Sequence, residues 1–400
     1  MHLDELPTPA LVLEYPVLLR NLQLMQQRTQ LWGVALRPHA KTHKCAEIAH
    51  LQLRLGAIGL TVATLTEAYF FANAGVEDIT WAFPLPLWAV EPALELARHI
   101  RLRLLLDNIT AAKALSDACA HHGQRVHVWL EVDCGARRSG LDPKSPLLLH
   151  VAEFVARSPW LELDGLLTHA GHAYRAASPE ELRLIALQEQ ELLLEASHRL
   201  QQAGIPILGI SIGSTPTIMA SETLLPGISE VRPGNYVFYD YTQVLLGSCR
   251  LSDCALTVLA TVVSHQPSAE HFVIDAGALA LSLDPGPQHL MPVPSFGAVM
   301  EITDGTARLD PDVRISRLTQ EHGLVAATQP GHLEKRYRVG DRVRILENHS
   351  CLTAALHDYY WVCDSAGNIM SCWPIARQRS FVDKSAVPSF RSLPEDSTPF

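Results

Sequence analysis

The chain of 400 residues is 48% hydrophobic and carries a net charge of -10, with 42 acidic against 32 basic residues. Its length exceeds one ordinary core and points to two domains, one of them with the roughly 250 residues of a barrel, while the acidic balance excludes general attraction to nucleic acid or to an anionic membrane. No apolar run reaches membrane-spanning length, the start Met1-His2-Leu3-Asp4-Glu5-Leu6-Pro7 lacks a secretory leader pattern, and eight cysteines without a C-x-x-C pair make no dense disulfide framework, so the chain reads as reduced and cytoplasmic.

From about residue 10 to 245, short β-rich runs alternate with longer helical patterns, as βα units around a parallel sheet do. The expected strands are Leu11–Glu14, Val34–Arg37, Gly59–Ala63, Ile79–Phe83, Leu102–Leu106, Val126–Val132, Leu163–Thr168 and Gly209–Ile212, with Val231–Tyr239 closing the region. Helical spacing covers Val17–Leu31, Cys45–Leu55, Thr66–Asn73, Leu87–His99, Thr110–His121 and Pro179–Gln202. Gly123 and Gly204 stand where left-handed C-caps fall, and Ser178-Pro179-Glu180-Glu181 has the N-cap serine, N1 proline and early acids of a helix start. The pattern predicts an α/β fold with a (β/α)8 barrel of the TIM type over residues 1–247, residues 1–10 being free to join another domain. Beyond residue 248 the runs Ala255–Val263, His271–Asp275, Arg314–Leu318, Asp341–Leu346 and Tyr359–Val362 predict a mainly β domain to residue 381, and the Ser- and Pro-rich stretch 382–400 reads as a loosely held arm.

Six segments carry candidate chemistry. In Arg37-Pro38-His39-Ala40-Lys41-Thr42-His43-Lys44 a lysine follows a predicted strand, where a barrel opens its mouth; His39, His43 and Lys44 would help keep it neutral and nucleophilic, or the segment is a solvated basic loop. Asp133-Cys134-Gly135-Ala136-Arg137-Arg138-Ser139-Gly140 offers glycines for close approach and Arg138 for an anionic oxygen, or an ordinary turn. Thr168-His169-Ala170-Gly171-His172-Ala173-Tyr174 ends the next strand with two histidines and a tyrosine. Gly213-Ser214-Thr215-Pro216-Thr217 opens a helical pattern whose N–H groups and hydroxyls suit a phosphate, or simply cap it. Glu230-Val231-Arg232-Pro233-Gly234-Asn235-Tyr236 follows. Near the end, His349 and Cys351 in Glu347-Asn348-His349-Ser350-Cys351 would face one side of an extended segment and hold one metal, zinc by softness, or would have no such role.

These segments together resemble the fold-type III pyridoxal-phosphate enzymes that include D-serine dehydratases, D-threonine aldolases and D-3-hydroxyaspartate dehydratases, relatives of alanine racemase. The resemblance implies that Lys41 carries the cofactor, that Arg138 lies near its phenolic oxygen, that His169 stacks on the ring and that Tyr174 bonds cofactor or lysine. It implies phosphate contacts from Ser214, Thr215, Gly234, Asn235 and Tyr236, and an arginine, Arg232, at the pyridine nitrogen or paired with Glu230. The N-H-x-C of His349 and Cys351 matches the zinc ligands of the dehydratases, whereas the aldolases show H-C-D with a harder metal such as manganese. The implied function is dehydration of a D-3-hydroxy amino acid to a 2-oxo acid and ammonia, with retro-aldol cleavage as the alternative and a racemase or a cofactor carrier further off. His357 and Glu321-His322-Gly323 are further candidates for a base or supporting bonds, His172 for support, and a head-to-tail homodimer follows from the same resemblance. Cys134 and the tail depart from the pattern.

Overall fold

The computed structural model describes residues 1–265, 271–303, 306–328, 333, 336–378 and 381. After a first strand, β1 (Ala10–Glu14), eight strands pair in parallel: β2 (Ala35–Leu36), β3 (Leu60–Val62), β4 (Asp78–Pro84), β5 (Arg101–Leu106), β6 (Val126–Glu131), β7 (Leu161–Leu167), β8 (Gly209–Ile212) and β9 (Glu230–Val231). Their order is β2-β9-β8-β7-β6-β5-β4-β3, and a parallel bridge between His39 and Thr61 closes the ring, with Ala40 N–H donating to Thr61 O at 2.8 Å. Helices α1 (Tyr15–Trp32), α2 (Ala46–Leu55), α3 (Leu65–Asn73), α4 (Val90–Ala97), α5 (Ile109–His122), α6 (Pro146–Arg157), α7 (Pro179–Gln202) and the short α8 (Thr215–Ala220) return the chain between strands. The caps are those expected: Gly123 ends α5 at φ 63°, and Ser178 accepts a bond from Glu181 N ahead of Pro179. Barrel leucines, isoleucines and valines such as Leu104, Val128 and Ile210 pack in the same apolar cluster as helix residues Leu22, Leu115 and Leu193.

The run expected to extend from Val231 to Tyr239 as a strand stops at Val231. Pro233 has no N–H to give a ladder, and Asn235–Val237 turns as a 3-10 helix. A second correction concerns β1, which the sequence placed among the barrel strands. It instead lies antiparallel to β10 (Leu256–His265) and parallel to β17 (Tyr359–Cys363) in the mainly β part. Between those two lie β11 (His271–Ile274), β12 (Ala298–Thr303), β13 (Thr306–Leu309), β14 (Val313–Leu318), β15 (Gly323–Ala327) and β16 (Arg342–Leu346), and β18 (Ile369–Pro374) pairs with β17. Short helices α9 (Tyr241–Leu245), α10 (Ala278–Leu281) and α11 (Ser350–Ala354) sit at or near the junction with the barrel. No helix among the described residues is long and apolar enough to cross a membrane. The expected arm at 382–400 lies outside the described residues.

Candidate active site

A cavity of about 390 Å³ opens where the barrel strands end, as strand-end loops of such barrels do. Lys41 lines it from the turn that follows β2. Burial pushes the Lys41 ammonium below its ordinary value; the Cys351 thiolate opposes this, and the Arg138 and Arg232 guanidinium groups add to it. The cations named from sequence are not the ones responsible. Burial keeps His39 neutral and lowers His43 to about 3, and the Lys44 ammonium is spent on the Glu67 carboxylate. Neighbours in space, about a hundred and two hundred residues on, do what neighbours in sequence were expected to do.

The other strand ends converge on the same cavity. After β6, Asp133 Oδ1 accepts from Gly135 N at 2.9 Å and Arg137 N at 3.0 Å, and the turn projects Arg138, whose guanidinium is mostly exposed and 3.8 Å from Glu131. After β7 come His169, held neutral by burial, then His172, Tyr174 and Arg175, all lining residues. After β8, Ser214 and Thr215 line the cavity at the start of α8; the Ser214 hydroxyl also caps that helix, accepting from Thr217 N at 3.4 Å. Gly234 and Asn235 complete the wall, and Asn235 Nδ2 is held by Asp240 and by Ser350 Oγ at 2.9 Å. Tyr236 follows them with its side chain in the core, 1% exposed, and its hydroxyl accepting from Gln52 Nε2 at 3.1 Å. Only its backbone stays near, donating to Thr215 Oγ1 at 3.1 Å. Arg232 lines the cavity and reaches Glu230 through the Ser211 hydroxyl rather than directly.

His349 and Cys351 close the cavity from the β part, though not on one extended segment. His349 is extended at φ -145° and precedes α11, whose first turn holds Cys351. A helical step still brings imidazole and thiol together, and Cys351 Sγ lies 3.2 Å from Thr42 Oγ1, beside Lys41. Sequence reading missed Asp284, whose Oδ2 is 2.9 Å from His349 Nδ1 and whose Oδ1 accepts from Gly286 N at 2.8 Å. Only the turn signal of Asp284-Pro285-Gly286 hinted at it. Burial disfavours the His349 imidazolium, but Cys351 and Asp284 lift its pKa well above the usual range; against burial, His349 and Lys41 lower that of Cys351. With Nδ1 on a carboxylate, Nε2 is the nitrogen that could ligate, the arrangement typical of metal-bound histidine. Among the described residues no group of three or more metal-binding side chains gathers, so the imidazole and thiol would supply two ligands to a metal and no more.

The lining holds Lys41, Arg138, Arg175 and Arg232 and, among the described residues, no carboxylate. Such an excess of positive charge fits a phosphorylated, anionic cofactor. His357 and the Glu321–Gly323 turn do not reach it: His357 and Glu321 line a separate recess with Pro9 and Leu279, and His357 Nε2 is 2.9 Å from Ala280 O.

Residues 16–242 match the family model of the alanine racemase N-terminal domain. The chain belongs to this family. In it, residues 255–363 match a serine dehydratase domain. The D-threo-3-hydroxyaspartate dehydratase of Delftia sp. (strain HT23) is 36% identical over 371 residues, covering 92% of this chain and 96% of that protein. The D-serine dehydratase of Dictyostelium discoideum is 33% identical over 389 residues, with 92% and 96% covered. A D-threonine aldolase of Arthrobacter sp. is 30% identical over 364 residues, with 89% of each covered. Among solved structures, a variant of a D-threo-3-hydroxyaspartate dehydratase in its metal-free form superposes with a TM-score of 0.89 at 35% identity, over 95% of this chain and 100% of that one. All of these relatives are lyases.

Proposed function

We propose that the chain is a pyridoxal-phosphate- and zinc-dependent dehydratase of D-3-hydroxy amino acids, giving a 2-oxo acid and ammonia. The observation that carries this reading is the joining of Lys41, of lowered basicity, to the His349–Cys351 pair across Thr42 in one cationic cavity. When bound, the cofactor supplies an electron sink at Cα and the metal a Lewis acid for the departing hydroxyl. Lys41 Nζ takes the α-proton, and its lowered pKa leaves a usable neutral fraction for that step. Arg138 and Tyr174 would orient the cofactor, His169 would cover its ring, and Ser214, Thr215, Gly234 and Asn235 would hold its phosphate. Asp284 fixes the ring of His349, which with Cys351 would hold the metal beside the 3-hydroxyl, while the α-proton leaves toward Lys41. Loss of both gives an enamine that hydrolyses to the 2-oxo acid and ammonia.

The kinship to a D-threonine aldolase supports a second reading, in which the hydroxyl loses its proton and Cα–Cβ breaks. Incubating the purified holoenzyme with D-threonine separates the two: 2-oxobutyrate and ammonia support dehydration, whereas glycine and acetaldehyde overturn it. We further propose a cytoplasmic homodimer, which sedimentation of the purified protein and cell fractionation check.

A further inference from the structure

A ladder of buried and half-buried polar groups crosses the barrel from the cavity to the opposite ends of its strands. It starts at Arg232, 3% exposed, whose guanidinium, among the described residues, bonds neutral acceptors only: Nε donates to Ser211 Oγ at 2.7 Å and Nη2 to Thr168 O. Ser211 Oγ donates in turn to Glu230 Oε1 at 2.7 Å, and Glu230 Oε2 accepts from Arg37 Nε at 2.6 Å. Arg37 also pairs with Asp78, which pairs with Arg103; Arg103 Nε reaches Asp164 at 2.7 Å, and Asp164 lies 2.9 Å from His127 Nδ1. Thr61 Oγ1 donates to Arg37 O at 3.0 Å, so every barrel strand or its immediate extension contributes a residue. Gly59 makes room for it, since a Cβ there would collide with Arg37 Nη1 and Asp78 O.

The geometry fixes the role of each rung near the cavity. A serine hydroxyl has one proton, so giving it to Glu230 leaves the Ser211 lone pairs for Arg232. Glu230 is held back by Arg37, one hydroxyl away from Arg232. Among the described residues no bond engages Arg232 Nη1, and a buried cation without a direct counter-ion keeps its donor capacity for whatever fills the cavity.

We propose that Ser211 and Glu230 are positioning residues that hold Arg232 as a charged, directed donor to the bound cofactor, with Arg37 keeping Glu230 from neutralising it. This rests on the pyridoxal-phosphate reading above. The test loads parent, Ser211→Ala and Glu230→Gln proteins with pyridoxal phosphate and records visible spectra, cofactor affinity, and kcat and KM with D-serine. Both variants shift the visible bands relative to the parent and lower kcat by about tenfold or more while KM changes by less than about threefold, the split expected when orientation rather than substrate binding is lost. Parent-like spectra and kcat in the folded variants overturn the proposal, and Glu230→Gln, nearly isosteric, decides alone where Ser211→Ala does not fold. A parent protein that forms no visible band overturns the cofactor reading itself and the inference with it; a band indifferent to both changes overturns the positioning role only.

Discussion

Lys41 sits where four influences on its charge meet: burial, the Cys351 thiolate, two guanidinium groups and the Glu67 carboxylate. Replacing it, Lys41→Ala, removes the amine that links cofactor and abstracts the proton; the lysine-bound visible band disappears and turnover falls by roughly a thousandfold or more, both read on the purified holoenzyme. Asp284 acts one bond further out. Asp284→Asn keeps the side-chain shape but removes the anion behind His349 Nδ1, and loosens metal binding by about ten- to a hundredfold in a competitive chelator titration. Unchanged affinity would show that Asp284 merely caps its own turn. Arg175 is exposed at the cavity and is committed to no described ion pair, so a second substrate carboxylate has a cation to meet. The kcat/KM for D-3-hydroxyaspartate therefore exceeds that for D-serine, and Arg175→Ala lowers the ratio of the two by about tenfold, one charge-assisted bond.

At the scale of elements, β1 links the start of the chain to its end. Its residues Ala10 to Leu13 are fully buried between β10 and β17, so the β part cannot complete its sheet without them. Leu13→Ala removes packing on the face it shares with Leu11 and costs about 2–5 kcal/mol in urea unfolding, with loss of protection at Trp361 to Cys363 amides in hydrogen exchange. Local pattern made β1 visible as a strand but could not name its partners, which lie about 250 and 350 residues away. The barrel strands were legible because each is flanked by a helix of the right length, a local signal. The β strands at Ala298–Thr303, Thr306–Leu309, Gly323–Ala327 and Ile369–Pro374 were not read, being short runs without such flanks. Lys41, His349 and Cys351 stood out through motif; Asp284 and Arg37 did not, because their roles come from contacts 65 and 193 residues away in sequence.

In the whole molecule the barrel and the β part meet at the Lys41 turn. Tyr360 Oη donates to His43 O at 2.7 Å, Ala376 N to Lys44 O at 2.8 Å, and Thr42 touches Cys351. Burial also shifts ionisable groups of the folded molecule toward their neutral forms from both sides of the pH scale. Burial lowers His39, His43 and His169, and burial raises Glu131, Glu189, Asp240 and Glu347. The two sets act oppositely on stability: the acids bind more protons when folded, and the histidines bind more when unfolded. The overall pH curve therefore cannot isolate one histidine, but a difference between two proteins can. His43 has a folded pKa of about 3 against 6.5 as the ordinary value, so the stability linked to its neutral form is full above 6.5 and is lost as pH falls toward 3. Between pH 7.5 and 5 that loss is about 2 kcal/mol, at up to 1.36 kcal/mol per pH unit. His43→Gln removes this titration while keeping a polar side chain of similar size. Urea unfolding of both proteins at pH 7.5 and pH 5 then shows the parent's stability relative to the variant dropping by about 2 kcal/mol at the lower pH. An equal gap at both values would mean that the His43 ring gains a proton in the folded protein as easily as in the unfolded chain.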